Sequence, residues 1–130
     1  MLTKTAADIM TSRVVTIGQD ARLTDAIRLL LRYHISGLPV LDADGSLLGI
    51  LSEHDIINYA LSGDAETATV AEAMSTPVMT FPPTVSLEEI ANCLAEKRLR
   101  RVPIVADGKV VGIVSRRDIL REMLFADYNE

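Results

Sequence analysis

The chain has 130 residues and a formal net charge of −5. This length fits one compact domain or two small halves that share a core, because an isolated unit of about 60 residues buries too little surface to be robust. The negative charge argues against nucleic-acid binding, which needs a basic face. No apolar run in the sequence is long enough to span a membrane. The sequence has one cysteine and therefore cannot form an intramolecular disulfide. We expect a cytoplasmic protein with no membrane partner.

The first half of the chain predicts a strand, a helix, a hairpin and a second helix, in that order. A β-type run, Val14 to Ile17, comes first, and apolar residues at helical spacing follow from Ala26 to Leu31. Two apolar runs, Leu38 to Leu41 and Leu47 to Leu51, flank an Asp-Ala-Asp-Gly turn, which indicates a hairpin. Ser52 then opens a second apolar-periodic helix.

The second half repeats the first. A shift of 64 residues superimposes Met10, Thr16, Leu23 and Pro39 on Met74, Thr80, Leu87 and Pro103. After a one-residue deletion the shift becomes 63 and superimposes Gly45, Gly49, Ser52 and Asp55 on Gly108, Gly112, Ser115 and Asp118. The repeat predicts two domains, 7–62 and 70–125, joined by a linker at 63–69.

Each repeat has the order β-α-β-β-α, so we expect an α+β fold. Neither small sheet can cover its own apolar face, and the two pseudo-symmetric units should therefore pack sheet to sheet as one pair. This packing would create paired clefts between the halves.

The segments 49–55 and 112–118 read Gly-Ile-Leu-Ser-Glu-His-Asp and Gly-Ile-Val-Ser-Arg-Arg-Asp, and each follows an apolar strand with a proline. Each repeat resembles the cystathionine-beta-synthase (CBS) domain, and the tandem resembles a stand-alone Bateman module. The resemblance implies a regulatory sensor that binds an adenine nucleotide between its two CBS units: AMP, ADP or ATP, or else S-adenosylmethionine. Mg²⁺ would accompany ATP only.

The two Ser-x-x-Asp motifs have two interpretations. Ser52 with Asp55, and Ser115 with Asp118, can each form a capping box that stabilises the helix start. An ionised aspartate can also accept both hydroxyls of a ribose, while the helix N-terminus attracts phosphate. The two roles are compatible, because the serine can cap while the aspartate binds.

The resemblance also implies which residues hold the ligand. One cleft would combine the base-contacting residues of the first half with the serine, the aspartate and the arginines of the second half. The pseudo-symmetric cleft would combine Thr80, Val102 and Pro103 with Ser52 and Asp55. The residues of the first cleft are Val15, Thr16, Ser36, Gly37, Leu38, Pro39, Arg100, Arg101, Ser115, Arg117 and Asp118. We expect this cleft to bind more tightly, because its arginines favour phosphate while Glu53 lies beside the other motif.

Three classes of function follow from the sequence. The first is a nucleotide-sensing module without enzymatic activity, since no nucleophile, base and orienting group can be combined. The alternative is a ligand-free dimerisation or scaffold module, and an enzyme comes third. The mean hydropathy of +0.24 is high for a small protein, which suggests a covered apolar face. We expect a homodimer through the helices near Ile56–Leu61 and Ile119–Phe125, and an unknown effector protein.

Overall fold

The structure is a computed structural model that describes the backbone of residues 3–129 and the side chains of residues 3–125. It divides into two compact units. Unit A is Val15–Val78, and unit B combines the residues up to Val14 with those from Met79 onward. The elements in chain order are α1 (Ala6–Ile9), β1 (Ile17–Gly18), α2 (Leu23–Tyr33), β2 (Gly37–Leu41), β3 (Leu47–Ser52), α3 (Glu53–Ser62), α4 (Val70–Ala73), α5 (Leu87–Lys97), β4 (Arg101–Ala106), β5 (Lys109–Ser115) and α6 (Arg116–Asn129).

Both units are built on the predicted hairpin. In unit A, β2 pairs antiparallel with β3, with Gly37 opposite Ser52, and β1 adds to β2 in parallel. In unit B, β4 pairs antiparallel with β5, with Arg101 opposite Ser115. Helices follow the outer strands directly, and the α+β class and the repeated order of elements are confirmed.

Each unit has its own hydrophobic core between the hairpin and its helices. The core of unit A joins α2 to β2 and β3, and that of unit B joins α5 to β4 and β5. Fully covered side chains occupy equivalent places in the two repeats, and they include Leu23, Leu38 and Leu51 in unit A and Leu87, Val102 and Val114 in unit B. The apolar stripe expected on α2 is narrower than predicted, because Leu31 is 71% exposed.

The first strand of each repeat is much shorter than the predicted runs, 14–17 and 78–81. Unit A pairs only Ile17 and Gly18, and unit B has a single parallel bridge between Phe81 and Ile104. The Phe81 carbonyl accepts from Val105 N–H at 2.9 Å. Two residues earlier the ladder would need a donor from Pro103, which has no N–H, and Pro39 has the same place in β2. Proline therefore ends the ladder after one or two pairs.

Each compact unit contains a short segment that the sequence repeat assigns to the other half of the chain. We call these two segments, which end at Val14 and Val78, the exchanged segments. The segment before Val14 belongs to unit B, where Thr11 and Ile113 exchange two main-chain hydrogen bonds of 3.0 and 3.1 Å. The segment before Val78 belongs to unit A, where Ser75 and Ile50 exchange bonds of 2.8 and 3.1 Å. Part of the predicted linker is packed rather than exposed, because Ala68 is buried in the core of unit A and accepts from Leu23 N–H.

Two short helices in the exchanged segments were not predicted. In α1, Asp8 accepts from the N–H of Thr5 at 2.9 Å and from its hydroxyl at 3.1 Å. In α4, Glu72 accepts from the N–H and the hydroxyl of Thr69 at 3.3 and 3.1 Å. The signal for both helices is present in the sequence as Thr-x-x-acid motifs 64 residues apart.

A glycine in each hairpin makes room for the exchanged segment. A Cβ atom at Gly49 would lie 2.8 Å from the Ser75 carbonyl oxygen, and one at Gly112 would lie 2.7 Å from Met10 Cγ. Since Cβ contacts under about 3 Å do not occur without displacement, both positions require the smallest residue.

Among residues 3–129, none of the helices combines the length and the apolar character needed to cross a bilayer.

We expect Gly49→Ala to destabilise the protein by about 1–3 kcal/mol, because the main chain at Ser75 must move to admit the methyl group. The midpoint of urea unfolding measures the loss. Gly18→Ala is the matched control, since an added Cβ there meets nothing within 4 Å. Equal midpoints for the two variants would contradict this packing.

Acid should weaken the anchoring of the exchanged segments. Hydrogen bonds from Tyr59 and Thr69 lower the pKa of Glu72, and those from Thr5 lower the pKa of Asp8. A carboxyl whose pKa is lower in the folded state stabilises fully above its unfolded pKa and loses that contribution as the pH falls. As the pH is lowered below about 5, we expect the urea concentration at the unfolding midpoint to decrease. This decrease should be smaller in Glu72→Gln than in wild type. Glu96→Gln, on an exposed glutamate of α5, should keep the wild-type dependence.

Candidate functional site

The Ser-x-x-Asp motif of unit A forms a closed set of hydrogen bonds where β3 passes into α3. Asp55 Oδ2 accepts from the N–H and the hydroxyl of Ser52, both at 2.9 Å, and Ser52 Oγ accepts from Asp55 N–H at 3.1 Å. Asp55 Oδ1 accepts from the hydroxyl of Ser75 at 2.7 Å. The capping role is therefore confirmed, and a residue of the exchanged segment also binds this carboxylate.

The equivalent motif of unit B has the same cap and a different second partner. Asp118 Oδ2 accepts from Ser115 N–H at 2.8 Å, and Ser115 Oγ accepts from Asp118 N–H at 3.2 Å. Asp118 Oδ1 pairs with Nη1 of Arg121 at 3.0 Å. The Asp118 side chain is only 12% exposed, whereas that of Arg121 is 59% exposed. The ion pair therefore joins a largely covered carboxylate to a guanidinium that is open to water.

Hairpin register brings the arginines of unit B to the same place as the serine. Arg101 lies opposite Ser115 in the ladder, and the carbonyl of Arg100 accepts from Arg116 N–H at 2.9 Å. Arg117 follows in the first turn of α6, one residue before Asp118. The main chains of four arginines, residues 100, 101, 116 and 117, therefore lie together at the start of α6. We call this set, with Ser115 and Asp118, the arginine cluster.

Unit A has no such charge at the equivalent place. Gly37 lies opposite Ser52, and the carbonyl of Ser36 accepts from Glu53 N–H at 3.0 Å. The four positions equivalent to the arginines are Ser36, Gly37, Glu53 and His54. The same backbone arrangement therefore carries four arginines in unit B and a single charged residue, Glu53, in unit A.

The residues predicted to contact a base are placed at the other strand ends. Val15, Thr16 and Thr80 are half-buried and lie just before the parallel pairing begins, so their main chains are outside the ladder. Leu38, Pro39, Val102 and Pro103 are fully buried. The side chains of Leu38 and Val102 belong to the cores of their own units, so they are not available at the surface.

The sequence patterns did not indicate Ser75 or Arg121 as partners of the two aspartates. Arg121 follows Asp118 by three residues, a spacing at which helical side chains meet, so this pair could have been predicted. Ser75 is twenty residues from Asp55 and reaches it only through the exchanged segment. Its signal is the Met-Ser step at 74–75, which repeats the Met-Thr step at 10–11.

Known proteins resemble this chain over nearly its whole length. The family model of the CBS domain matches residues 6–62 and again residues 70–125. Hypoxic response protein 1 of Mycobacterium tuberculosis is 33% identical over 121 residues, which are 92% of this chain and 85% of the relative. A crystal structure of that protein with two coordinated zinc ions has a TM-score of 0.81. Among residues 3–125 of the present chain, no group of three or more His, Cys, Asp or Glu side chains is arranged to hold a metal ion.

Two solved structures similar to this chain contain adenosyl ligands. CBSX2 in complex with AMP is 30% identical, has a TM-score of 0.83, and is matched over 95% of this chain and 98% of its own. The CBS domain pair of protein MJ0100, in complex with 5'-methylthioadenosine and S-adenosyl-L-methionine, is 26% identical with a TM-score of 0.87 over the same shares. With both repeats matched by the family model and the fold shared with these pairs, the chain belongs to the CBS-domain family and carries two CBS domains in tandem.

Proposed function

We propose that this chain is a regulatory module that binds a phosphorylated adenine nucleotide through the arginine cluster of unit B. The observation that carries the proposal is that hairpin register brings the main chains of four arginines to the start of α6, where Asp118 lies. A carboxylate suits the hydroxyls of a ribose, and guanidinium groups suit phosphate. One ligand that contains both groups, a nucleotide, fits this combination.

Relatives support the adenosyl part of the proposal. A CBS protein 30% identical to this chain is known in complex with AMP, and another at 26% identity is known with methylthioadenosine and S-adenosylmethionine. These ligands share adenine and ribose and differ in the charge beyond the ribose. The charge around the aspartate of this chain therefore decides which of them it prefers.

The arginine cluster favours phosphate over a sulfonium group. Arg100, Arg116 and Arg117 are exposed, and each charge-assisted hydrogen bond to a phosphate contributes about 1.5–3 kcal/mol when partly desolvated. The same charges repel the positive sulfur of S-adenosylmethionine. We therefore expect AMP, ADP and ATP to bind better than S-adenosylmethionine, with Mg²⁺ taking part only when ATP is bound.

Each remaining residue has a defined part in the proposal. Asp118 would accept the ribose hydroxyls on Oδ1, after Arg121 moves away, while Oδ2 continues to cap α6. Ser115 would hold the aspartate in place and add a hydroxyl contact. The family resemblance assigns the base to the main chains of Val15, Thr16, Ser36 and Gly37. Val15 and Thr16 lie before the strand pairing begins, whereas Gly37 pairs with Ser52.

Thermal unfolding with a panel of ligands tests the proposal. Adenosine, AMP, ADP, ATP and S-adenosylmethionine are compared at equal concentration, and a ligand that binds the folded state raises the melting temperature. We expect the three nucleotides to stabilise more than S-adenosylmethionine. Arg117→Gln should reduce the response to nucleotides and leave the response to adenosine, because Arg117 is assigned to phosphate only.

Asp118→Asn should weaken nucleotide binding about tenfold or more, because the neutral amide has one acceptor oxygen for two tasks, the cap of α6 and the ribose contact. Asp25→Asn is the matched control. Asp25 accepts from Arg22 N–H at 3.3 Å at the start of α2, so this variant reports the loss of a helix cap without the ligand contact. Calorimetric titration with ADP that yields the same affinity for both variants would refute the role of Asp118.

A ligand-free scaffold is the second candidate, and the exposed apolar faces of α3 and α6 favour it. Ile57 and Leu61 are 60% and 83% exposed, and Leu120 and Leu124, at the same places in the other repeat, are 63% and 57% exposed. Ile56 and Ile119, predicted to belong to this surface, lie in the cores of their own units instead. No stabilisation by any ligand of the panel would leave the scaffold as the better account.

Both candidates use these four residues as a homodimer surface, since apolar side chains repeated on two helices suit a second copy of the same chain. In the sensor, nucleotide binding would favour one dimer geometry, which an effector protein could read. Leu124→Glu should therefore convert a dimer to a monomer in sedimentation at micromolar concentration. Met79→Glu, at a partly exposed methionine outside the surface, should leave the dimer intact. A wild-type monomer, or a dimer that survives Leu124→Glu, would exclude this surface.

A further inference from the structure

The hydrogen bond between Ser75 and Asp55 distinguishes the two halves of the protein. Ser75 Oγ donates to Asp55 Oδ1 at 2.7 Å, which is shorter than either bond from Ser52 to Oδ2. Both carboxylate oxygens of Asp55 are therefore occupied by hydroxyl or N–H donors of the chain itself. A hydroxyl is also the group that a ribose would offer to this carboxylate.

Ser75 is held in this position by its backbone. Its N–H and carbonyl exchange hydrogen bonds of 2.8 and 3.1 Å with Ile50, and Gly49 leaves the space that its carbonyl occupies. The backbone of Ser75 is therefore held in place, and only the rotation about its χ1 bond remains to bring the hydroxyl to Asp55. A preorganised donor of this kind loses little conformational entropy when it binds.

The corresponding oxygen in unit B has a different partner. Thr11 has the position of Ser75 in the repeat and forms the equivalent backbone bridge, to Ile113. There, however, Asp118 Oδ1 is paired with the exposed guanidinium of Arg121. A ligand at Asp118 must therefore displace the guanidinium of Arg121, whereas a ligand at Asp55 must displace the Ser75 hydroxyl, a group of the same kind as a ribose hydroxyl.

We propose that Ser75 is an internal competitor for the ribose hydroxyls at Asp55, and that it sets the affinity of the second nucleotide-binding position below that of the Asp118 position. The proposal rests on the proposed function, because it presupposes that the aspartates bind ribose. It extends that function by assigning the difference between the positions to one hydroxyl group as well as to the arginines. Under this assignment, the chain fills the Asp118 position first.

Replacement of the Ser75 hydroxyl by a ribose hydroxyl needs no other rearrangement of the protein. A ribose hydroxyl takes the place of the Ser75 hydroxyl on Oδ1, the cap between Ser52 and Oδ2 remains, and the exposed Ser75 side chain turns to water. Because a hydrogen bond to a charged group is exchanged for one of the same kind, the gain from ligand binding at this oxygen nearly cancels. Removing the serine hydroxyl should restore that gain, and we expect affinity at the Asp55 position to rise about tenfold.

Calorimetric titration with AMP in an Asp118→Ala background isolates the Asp55 position, because alanine removes both acceptor oxygens from the Asp118 position. In this background Ser75→Ala should bind AMP about tenfold more tightly than the parent. Ser75→Thr keeps the hydroxyl and should bind as the parent does. Thr11→Ala is the control at the equivalent place of unit B and should also leave the affinity unchanged. Circular dichroism of each variant confirms that it is folded before titration.

Three results would overturn the proposal. If Ser75→Ala weakens AMP binding, Ser75 orients Asp55 for the ligand rather than competing with it. If Ser75→Ala leaves the affinity unchanged, or Thr11→Ala raises it equally, the hydroxyl does not compete at Asp55. In both cases binding of AMP by the wild type through Asp118 would keep the proposed function intact. If the wild type binds no adenosine compound, the proposed function and the role of Ser75 fail together.

Discussion

The junction between hairpin and helix depends on reciprocal hydrogen bonds between a serine and the aspartate three residues later. In unit A, Ser52 and Asp55 bond each other through side chains and main-chain N–H groups, and Ser115 with Asp118 does the same in unit B. This contact fixes where α3 and α6 begin and restrains the carboxylate. It uses one oxygen of the aspartate, so the other oxygen is available for a second partner. Stability and the candidate site therefore share one side chain.

The two repeats keep this junction and differ in what surrounds it. Register places Arg101 beside Ser115 and Gly37 beside Ser52, so one duplicated backbone presents a basic cluster in unit B and a nearly uncharged one in unit A. The second partner of the carboxylate also differs between the units: it is the guanidinium of Arg121 in unit B and the hydroxyl of Ser75 in unit A. Duplication of the sequence has thus preserved the scaffold while the chemistry of the two positions has diverged.

Local patterns in the sequence predicted the hairpins, the helices after Ser52 and Ser115, and the repeat itself, because these depend on residues a few positions apart. The short first strands were mispredicted, because the proline that ends the ladder, Pro39 or Pro103, lies in another strand. The contact of Ser75 with Asp55 spans twenty residues and depends on the path of the exchanged segment, which periodicity does not encode. Placement of the arginines beside Ser115 could be predicted, because antiparallel pairing brings the start of one strand to the end of the next.

Exchange of the segments before Val14 and Val78 separates the units of folding from the units of duplication. A single repeat excised at 70–125 would carry α5, the β4–β5 hairpin and α6 but would lack Ala6, a fully buried residue of the same core. It would instead retain Val70, whose place is in the core of unit A. The core of one repeat in this protein is therefore completed by a segment of the other, so cutting the chain at the repeat boundary should leave both cores without a part.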